Sequence, residues 1–431
     1  MIAETVLQLD LGFDPPSPPT PRSFDGLADE LTRFDALGSR SVLETKHFTL
    51  ADGTPATTTV YTNEYWTARQ RQANALHEIS YRACFKPQLP RFFIERLTRP
   101  GQVVYDPFLG RGTTALEAAM LGRVPFGCDV NPLSRFMTAP RLDPPALGEI
   151  EARLDELDWA ASAERPESLL VFYHPDTLRE IAALRSYLLS RQNSGQWDRV
   201  DDWIAMVALN RLTGHSAGFF SVYTLPPNQA VSVKSQLRIN QRRNQTPPRR
   251  HVRKIILRKS RLLMSECDAA TLARLRQASR AAQLLTQSSA STQQIATGSV
   301  QLVVTSPPFL DVVDYATDNW LRCWFLGIDA SEVRLTVPKR IEDWMAAMTA
   351  TFHELSRVLA RGGHIAFEVG EVHAGKTRLE EAVIPCGLAA GLELVLLMIN
   401  QQEFTKTANC WGVANNRKGT NTNRIVVFRK P

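Results

Sequence analysis

The chain has 431 residues, of which 44% are hydrophobic and 22% are charged, and its formal net charge at pH 7 is +6. This composition fits one large folded domain with an insertion, or two domains, and excludes a mainly disordered chain. No apolar run approaches the roughly 20 residues that cross a bilayer, and the N-terminus lacks the regions of a secretion signal. We therefore expect a soluble, cytoplasmic protein with no membrane partner.

The first 76 residues are predicted to form an N-terminal extension. Residues 13–22 contain five prolines and favour an extended lead-in. Residues 64–83 have a helix-like mixture of side chains. Pro87 and Pro90 then interrupt this pattern before a short predicted helix around Phe92, Phe93, Ile94 and Leu97.

A strand–turn–helix–strand pattern follows between residues 102 and 129. Residues 102–105 predict a short apolar strand, and the glycine-rich turn 106–114 leads into a helix over 115–121. A second strand over 124–128 ends at Asp129. This is the opening βαβ unit of a doubly wound parallel sheet.

Residues 141–265 depart from the alternating pattern and predict a largely helical insertion, with helices over 176–189 and 200–212. From Lys234 to Arg261 the chain has eleven Lys or Arg and no Asp or Glu. Such a run concentrates positive potential where a phosphate backbone can bind, although a solvated basic face explains it equally well.

The α/β pattern returns with a buried strand over 300–304, which delivers residues 305–309 to its carboxyl end. A helix over 354–359, a turn at Gly362-Gly363 and a strand over 364–369 are predicted next. The segments 393–399 and 425–428 predict paired terminal strands of the same sheet. In this region Trp320, Trp324 and Phe325 have helical spacing and are expected in the core.

The six cysteines form no CxxC pair and have no histidine at zinc-ligand spacing. We expect reduced packing residues and no metal site.

The turn after the first strand has the features of a nucleotide-type ligand site. Gly110 and Gly112 allow a tight turn and a close approach of a ligand to the main chain, and the next helix presents free N–H groups. Asp129 can accept hydrogen bonds from both hydroxyls of an adenosine ribose. The third glycine of dinucleotide dehydrogenases and the Gly-Lys-Ser/Thr of phosphate-binding loops are both absent.

The segment Thr305-Ser306-Pro307-Pro308-Phe309 is the most informative part of the sequence. Two consecutive prolines end a strand abruptly and fix the neighbouring carbonyls. A base amine is a poor nucleophile, and rigid acceptors such as the Ser306 side chain and the Pro307 carbonyl could hold its two N–H bonds and aim its lone pair at a methyl donor. Phe309 would stack on an extruded base. A harmless proline turn is the alternative explanation of this segment alone.

Together, two segments resemble the amino-methylating DNA methyltransferases. Residues 106–114 resemble their methyl-donor motif DPFxGxGTT, and residues 305–309 resemble their catalytic tetrapeptide (S/N/D)PP(Y/F). Weaker similarities are found at 85–90, at 129–132, at Asp268-Ala269 and at 419–424. The resemblance covers residues 77–140 and 266–431.

The resemblance implies a Rossmann-like α/β methyltransferase with a mainly parallel seven-stranded sheet and S-adenosyl-L-methionine as cofactor. It implies donor-binding parts at 77–140 and catalytic parts at 266–431, with the recognition region at 141–265 between them. The implied catalytic residues are Ser306, Pro307, Pro308 and Phe309. The implied cofactor-binding residues are Phe85, Pro87, Asp106, Phe108, Gly110, Gly112, Thr113, Thr114, Asp129, Asn131, Asp268 and Thr305. From the basic run, Lys234, Arg242, Arg243, Arg249, Arg250 and Arg253 are the candidates for binding double-stranded DNA.

Two features of the sequence depart from the family's patterns. Members whose donor motif reads DPFxGxGTT usually have the catalytic tetrapeptide first, whereas here the donor motif precedes it. Ser306 is commoner in cytosine-N4 enzymes, and an aspartate at this place in adenine-N6 enzymes, so cytosine N4 is favoured and adenine N6 is the alternative. An RNA amino-methyltransferase and a non-catalytic relic that binds nucleic acid are the rival hypotheses, and a cognate restriction or defence system is a further open partner.

Overall fold

The computed structural model describes residues 24–49, 55–67, 73–81, 84–161, 163–224, 230–308, 315–329, 338, 340–372, 377–401 and 422–431. The predicted proline-rich lead-in, and Phe309, Asp311 and Asp314 beside the catalytic segment, lie outside these residues. So do residues 419–421 of the C-terminal motif.

One mixed sheet of nine strands forms the centre of the molecule, in the order β1-β2-β10-β11-β7-β6-β3-β4-β5. The strands β3 to β7 are parallel to one another, and β11 is antiparallel to its neighbours β7 and β10. The strands are β1 (Val42–Thr49), β2 (Pro55–Asn63), β3 (Val103–Asp106), β4 (Val124–Asp129), β5 (Gln283–Thr286), β6 (Val300–Thr305), β7 (Leu359–Val369), β10 (Glu393–Gln401) and β11 (Thr422–Arg429). A separate pair consists of β8 (Glu371–Val372) and β9 (Thr377–Arg378).

The Rossmann-like α/β class is confirmed, but the expected number of seven strands is wrong. Seven strands from β10 to β5 form the expected sheet, and the antiparallel pair β1–β2 extends it because β2 pairs in parallel with β10. Leu397 of β10 thus lies opposite Val60 of β2. Part of the predicted N-terminal extension is therefore continuous with the sheet.

Helices cover both faces of the sheet and fill the insertion. Around the sheet lie α1 (Phe24–Arg33), α2 (Gln88–Leu97), α3 (Thr113–Met120), α4 (Leu133–Leu142), α10 (Ala269–Ala281), α12 (Ile341–Val358) and α13 (Leu379–Ala389), while α11 (Tyr315–Leu326) packs against the insertion. The insertion contains α5 (Leu147–Asp155), α6 (Pro175–Asn193), α7 (Arg199–Leu209), α8 (Val233–Arg243) and α9 (Val252–Leu263). Short 3₁₀ helices are formed by Ala75–His77 and Glu167–Val171. The predicted helical insertion is thus present.

Strand alternation divides the buried side chains between the two faces of the sheet. On one face, Val104 and Val304 pack with α1 and α2, whereas on the other face Tyr105 and Val303 pack with α12 and α13. A third hydrophobic cluster joins α3 and α4 to the helices of the insertion. Phe325 is buried in that cluster, and Trp320 and Trp324 pack against it, as the helical spacing predicted.

Two local predictions are wrong. Among the described residues, the helix expected over 64–83 is limited to the 3₁₀ turn Ala75–His77. The segment follows the end of β2, and its later residues pack against α3 and α4. The turn expected at Gly362-Gly363 is an irregularity inside the continuous strand β7, where Gly362 has φ +73° and the pairing with β6 shifts register. The backbone there also pairs with Lys430.

No helix among the described residues is both long and apolar enough to cross a bilayer.

Candidate active site

The glycine turn after β3 packs directly against the end of β4. Gly110 (φ +51°) and Gly112 (φ +74°) both adopt left-handed backbone conformations, which side chains disfavour. The amide of Leu109 donates to the Cys128 carbonyl (2.9 Å), and the amide of Gly110 donates to Asp129 Oδ2 (2.8 Å). The sequence predicted this turn, and its hydrogen bonds fix its position relative to Asp129.

Gly112 is required for a second reason. A Cβ atom at this position would overlap the side chain of Thr138 on α4, so the turn and α4 approach more closely than any larger residue permits. Gly112 is also the N-cap of α3, whose first residues Thr113 and Thr114 are buried. The free N–H groups of this helix start therefore lie beside the turn.

Two arginines, Arg111 and the buried Arg141, tie the turn to the segment 76–79. The Arg111 side chain donates to the Ile79 carbonyl (2.9 Å) and to Thr113 Oγ1 (3.2 Å). The fully buried Arg141 donates to the carbonyls of Leu76 and Arg111. These contacts connect the turn to a part of the chain that the sequence did not link to it.

The predicted donor motif and catalytic motif meet at the carboxyl ends of the adjacent strands β3 and β6. Thr305 Oγ1 donates to Asp106 Oδ1 (2.6 Å), and Thr114 Oγ1 donates to the Val304 carbonyl (3.0 Å). Burial raises the pKa of Asp106 to about 7, although hydrogen bonds from Thr305 and the Phe108 amide act in the opposite direction. A titratable carboxyl thus lies between the two motifs.

The Ser-Pro-Pro turn is anchored from the opposite side of the sheet. Trp344 on α12 is fully buried, and its indole Nε1 donates to the Pro308 carbonyl (2.9 Å). Pro307 is buried, whereas Ser306 and Pro308 are half-buried. Sequence reasoning missed Trp344 because it lies 36 residues after Pro308 with no motif around it.

Ser306 also has a buried carboxylate beside it. Glu368 on β7 follows Phe367, which pairs with Thr305, and it accepts from Asn423 Nδ2 (3.1 Å). Sequence reasoning missed Glu368 as a site residue. The signal was present, since a lone glutamate interrupts the apolar segment His364 to Val369.

Asp129 organises the end of β4. Its two oxygens accept from the amides of Gly110 and Asn131 (2.8 and 2.9 Å), and burial raises its pKa. Asn131 Nδ2 donates to the hydroxyl of Tyr81 (3.1 Å), whose ring is 3.9 Å from where a Gly110 Cβ would lie. Tyr81 is therefore a further lining residue that the sequence did not single out.

The other predicted cofactor-binding residues differ in how close they lie to the glycine turn. Phe108 lies in the turn, with its ring centroid 6.5 Å from that of Phe367. Phe85 packs against the cluster beneath α2, and Pro87 is the N-cap residue of α2. Asp268 is exposed, caps α10 by accepting from the Thr271 amide (2.7 Å), and has no described contact with the turn.

Gln287, which follows directly after β5, lies beside Asp129 instead. Its amide donates to the Asp129 carbonyl (3.0 Å). Its own carbonyl accepts from Cys128 Sγ (3.2 Å). The structure therefore does not bring Asp268 to the place that the resemblance implied.

The basic run divides into two groups. Arg249 pairs with Asp176 (3.6 Å), and Arg253 pairs with Asp155 (2.6 Å) and Glu151 (3.3 Å). Arg250 is half-buried, and its backbone is hydrogen-bonded with Thr177. Lys234, Arg242 and Arg243 on α8 are exposed and have no ion pair with a described residue, although Arg243 lies 3.7 Å over the Tyr223 ring.

No group of three or more His, Cys, Asp or Glu within the described part of the chain could hold a metal ion. Five of the cysteines are described, and all five are free thiols.

The residues at the carboxyl ends of β3 and β4 fit an adenosyl cofactor with a positively charged amino-acid part. Two left-handed glycines and a helix start leave the main chain open to a ligand, and the oxygens of Asp129 keep lone pairs for ribose hydroxyls. Asp106 supplies a carboxyl beside the same turn. The strand order and this site together define the class of S-adenosylmethionine-dependent methyltransferases.

Comparison with known proteins is consistent with that class. Residues 39–134 match the model of the DNA methylase family of N6 and N4 methyltransferases. The match confirms the resemblance and, with the fold, gives the chain S-adenosyl-L-methionine as cofactor. It does not distinguish the N4 members from the N6 members.

Curated relatives match only in part. The chain is 29% identical over 126 residues to the type II methyltransferase M.MvaI of Kocuria varians, covering 28% of this chain and 24% of that protein. It is 37% identical over 83 residues to M.BsoBI of Geobacillus stearothermophilus, covering 19% of this chain and 15% of that protein. The chain thus spans about a quarter or less of these relatives.

Among solved structures, TrmN from Thermus thermophilus is 12% identical, with a TM-score of 0.31, over 81% of this chain and 50% of that chain. A similarity of this size supports no argument about function.

Proposed function

We propose that the protein is a site-specific DNA methyltransferase that transfers a methyl group to the exocyclic N4 of a flipped-out cytosine. One observation carries the proposal. The 2.6 Å hydrogen bond from Thr305 to Asp106 holds the donor turn and the Ser-Pro-Pro turn side by side at the carboxyl ends of β3 and β6. Ligands of open α/β sheets bind at this edge.

The cofactor supplies an electrophilic methyl group on a sulfonium, and residues at Asp106, Gly110, Gly112 and Asp129 would hold it. The chain supplies the geometry for the acceptor. Ser306 Oγ and the Pro307 carbonyl accept the two N–H bonds of the base amine, which localises its lone pair on nitrogen. Trp344 fixes the turn through the Pro308 carbonyl. Phe309 stacks on the extruded base.

Ser306 supports cytosine N4 over adenine N6, since serine at the first position of the tetrapeptide is commoner in the cytosine enzymes. Adenine N6 is the alternative product.

The helical insertion is proposed to recognise the target sequence, with α8 against the DNA backbone. Lys234 and Arg242 project from exposed positions of α8 and have no acidic partner among the described residues. Arg249 and Arg253 already have carboxylate partners, so phosphate must compete for them. We therefore expect α8 to contribute more to DNA binding than the segment 249–253.

The catalytic roles are tested with Ser306→Ala and Phe309→Ala. Both variants should bind the cofactor as the wild type does and lose methyl transfer to DNA. Ser299→Ala, at the opposite end of the same strand, is the matched control and should remain active. Nucleoside mass spectrometry after incubation with DNA or RNA separates N4-methylcytosine from N6-methyladenine and identifies the nucleic acid. Full transfer by Ser306→Ala would refute the assigned role.

The recognition role is tested with charge neutralisation on the two parts of the basic run. Lys234→Gln/Arg242→Gln should weaken DNA binding and reduce the slope of log affinity against log salt by about 0.9 for each phosphate that the protein no longer neutralises. Arg249→Gln/Arg253→Gln should have a smaller effect on the slope. Equal, unchanged slopes for both double variants would place the DNA elsewhere on the protein.

A further inference from the structure

Arg211, just after the end of α7, carries a positive charge that no residue in the described ranges neutralises. Its side chain forms neither an ion pair nor a hydrogen bond with those residues, and its Nε is buried. Burial lowers the pKa of Arg211 to about 10, so the guanidinium is still charged at pH 7. A largely buried cation without a partner is costly, and an anion that contacts it would offset this cost.

The guanidinium of Arg211 is held flat against an aromatic ring. Its central carbon lies 4.1 Å from the ring centroid of Phe219. Stacking occupies the face of a guanidinium and leaves the N–H donors at its edge free. Arg96 lies in the same way over Phe92 (3.8 Å), but its donors are taken by Glu30 and by the Phe92 carbonyl. Arg211 therefore differs from Arg96 in having its donors available.

The loop of residues 212–224 is built around the ring of Phe219. A Cβ atom at Gly214 would overlap this ring, so only glycine leaves room for it. The Thr224 amide donates to the Gly214 carbonyl (2.9 Å) and closes the loop. Phe219 is buried, yet it belongs to none of the three hydrophobic clusters of described residues. The ring thus supports the guanidinium rather than the core.

The same loop packs against the basic helix α8. The Tyr223 carbonyl accepts from Gln236 Nε2 of α8 (3.1 Å), and Arg243 of α8 lies 3.7 Å over the Tyr223 ring. The exposed Lys234 and Arg242 belong to the same helix. The loop therefore connects Arg211 with a row of exposed cations, which is the arrangement that suits a polyanion.

Helix α11 connects the start of α8 with the segment that lines the donor turn. The Ala230 amide, just before α8, donates to the Asp318 carbonyl of α11 (3.2 Å). Arg322 of α11 donates to the Ser80 carbonyl (2.9 Å), and the next residue, Tyr81, lies beside the glycine turn. A duplex that contacts α8 is therefore held by elements that are fixed to the donor site.

We propose that Arg211 binds one phosphate of the DNA backbone through two parallel hydrogen bonds. This inference rests on the proposed function, which supplies the nucleic acid. A guanidinium matches a phosphate with such paired bonds, and the Phe219 ring fixes its orientation before the DNA binds. The exposed cations of α8 attract the duplex, whereas Arg211 sets its position relative to the protein.

The test measures binding of a labelled random-sequence duplex by fluorescence anisotropy at several salt concentrations. Arg211→Gln should weaken binding by about 10-fold, the scale of a charge-assisted hydrogen bond, because it removes the charge and the paired donors. It should also reduce the slope of log affinity against log salt by about 0.9, the value for one phosphate. Arg211→Lys should weaken binding with an unchanged slope, because an ammonium keeps the charge but lacks the paired donors.

Arg96→Lys is the matched control, since Arg96 stacks on a ring with its donors occupied. This variant should bind the duplex as the wild type does, and a loss equal to that of Arg211→Lys would overturn the proposal. Calorimetry with the cofactor should give the wild-type affinity for Arg211→Gln. If Arg211→Gln lost cofactor affinity and kept DNA affinity, the anion would be the carboxylate of the cofactor, and the DNA contact would be wrong.

A merely structural role predicts lower stability in urea with the wild-type DNA affinity and salt slope, which would also overturn the contact. If Arg211→Gln does not fold, Arg211→Lys and Phe219→Leu decide the question, and wild-type DNA affinity in both would contradict it. Wild-type protein that binds the duplex but methylates neither DNA nor RNA would overturn the proposed function alone, since the salt slopes do not depend on methyl transfer.

Discussion

Two buried tryptophans provide a test of how the catalytic turn is held. Trp344 and Trp203 are both fully buried, and each donates one indole hydrogen bond of 2.9 Å. The acceptor of Trp344 is the Pro308 carbonyl in the catalytic turn, whereas that of Trp203 is Ser260 Oγ in the insertion. Replacing each by phenylalanine removes the same N–H group in two different places.

The two variants should lose similar stability and differ in activity. An acceptor left unsatisfied in the interior costs about 1–3 kcal/mol, and the smaller ring adds a cavity in both cases. In Trp344→Phe the Pro308 carbonyl also loses its anchor, so the acceptors for the base amine move. A tenfold lower methyl transfer rate corresponds to about 1.4 kcal/mol of lost transition-state stabilisation, and we expect at least this loss.

Urea unfolding followed by circular dichroism measures the stability of each variant. Single-turnover transfer of labelled methyl groups to DNA measures the chemical step, and calorimetry measures cofactor affinity. Trp203→Phe should transfer methyl groups at close to the wild-type rate. The reasoning is refuted if Trp344→Phe also keeps the wild-type rate, or if Trp203→Phe loses activity to the same extent.

Three further predictions concern the donor site. Gly112→Ala should destabilise the protein by about 1–2 kcal/mol from its left-handed backbone alone, with a further loss from overlap with Thr138. In a urea titration, adding Thr138→Ala should recover only the part of the overlap that comes from Oγ1 and Cγ2, because Cβ of residue 138 stays 2.8 Å from the new methyl group. Asp129→Ala should weaken cofactor binding measured by calorimetry, because the Gly110 amide loses its acceptor, while Asp268→Ala should leave that affinity unchanged. The folded-state pKa of Asp106 is about 7, above its unfolded value, so protonated Asp106 stabilises the folded protein at low pH and this stabilisation is lost as pH rises from about 4 to about 7. Asp106→Asn should remove this part of the pH dependence of the free energy of unfolding. An unchanged pH dependence would contradict the raised pKa of Asp106.

The local parts of the fold follow from the sequence. The unit from β3 to β4 was predicted with bounds within two residues, because a short apolar strand, a glycine turn and an apolar helix leave few alternatives. The pairing of β10 with β11 was also predicted. Periodicity and turn chemistry are local properties, and these elements depend on little else.

The hairpin β1–β2 was missed although its signal was present. Two β-rich segments flank Asp52-Gly53, a dipeptide typical of hairpin turns. The parallel pairing of β2 with β10 joins residues more than 300 positions apart, which no local pattern specifies. The extra width of the sheet is therefore a long-range result.

The residues of the candidate site that belong to sequence motifs were predicted. The residues that reach the site from distant parts of the chain were missed. Trp344 contacts the Ser-Pro-Pro turn from α12, and Glu368 lies on β7 next to the residue paired with Thr305. Both placements depend on how separate elements pack. Asp268 was assigned by similarity to a short acidic pair. In the structure its place at the start of α10 makes it a helix cap.

Under the proposed recognition role of the insertion, its shared core limits how this protein can acquire a new target sequence. Leu116 of α3 and Met137 of α4 belong to the same hydrophobic cluster as Trp203 of α7 and Ile256 of α9. A cassette of residues 141–265 exchanged alone would place foreign side chains against the unexchanged residues of α3 and α4 in that interior. Successful chimeras should carry α3 and α4 together with the foreign insertion. Natural divergence of specificity would then require matched changes in the insertion and in α3 and α4.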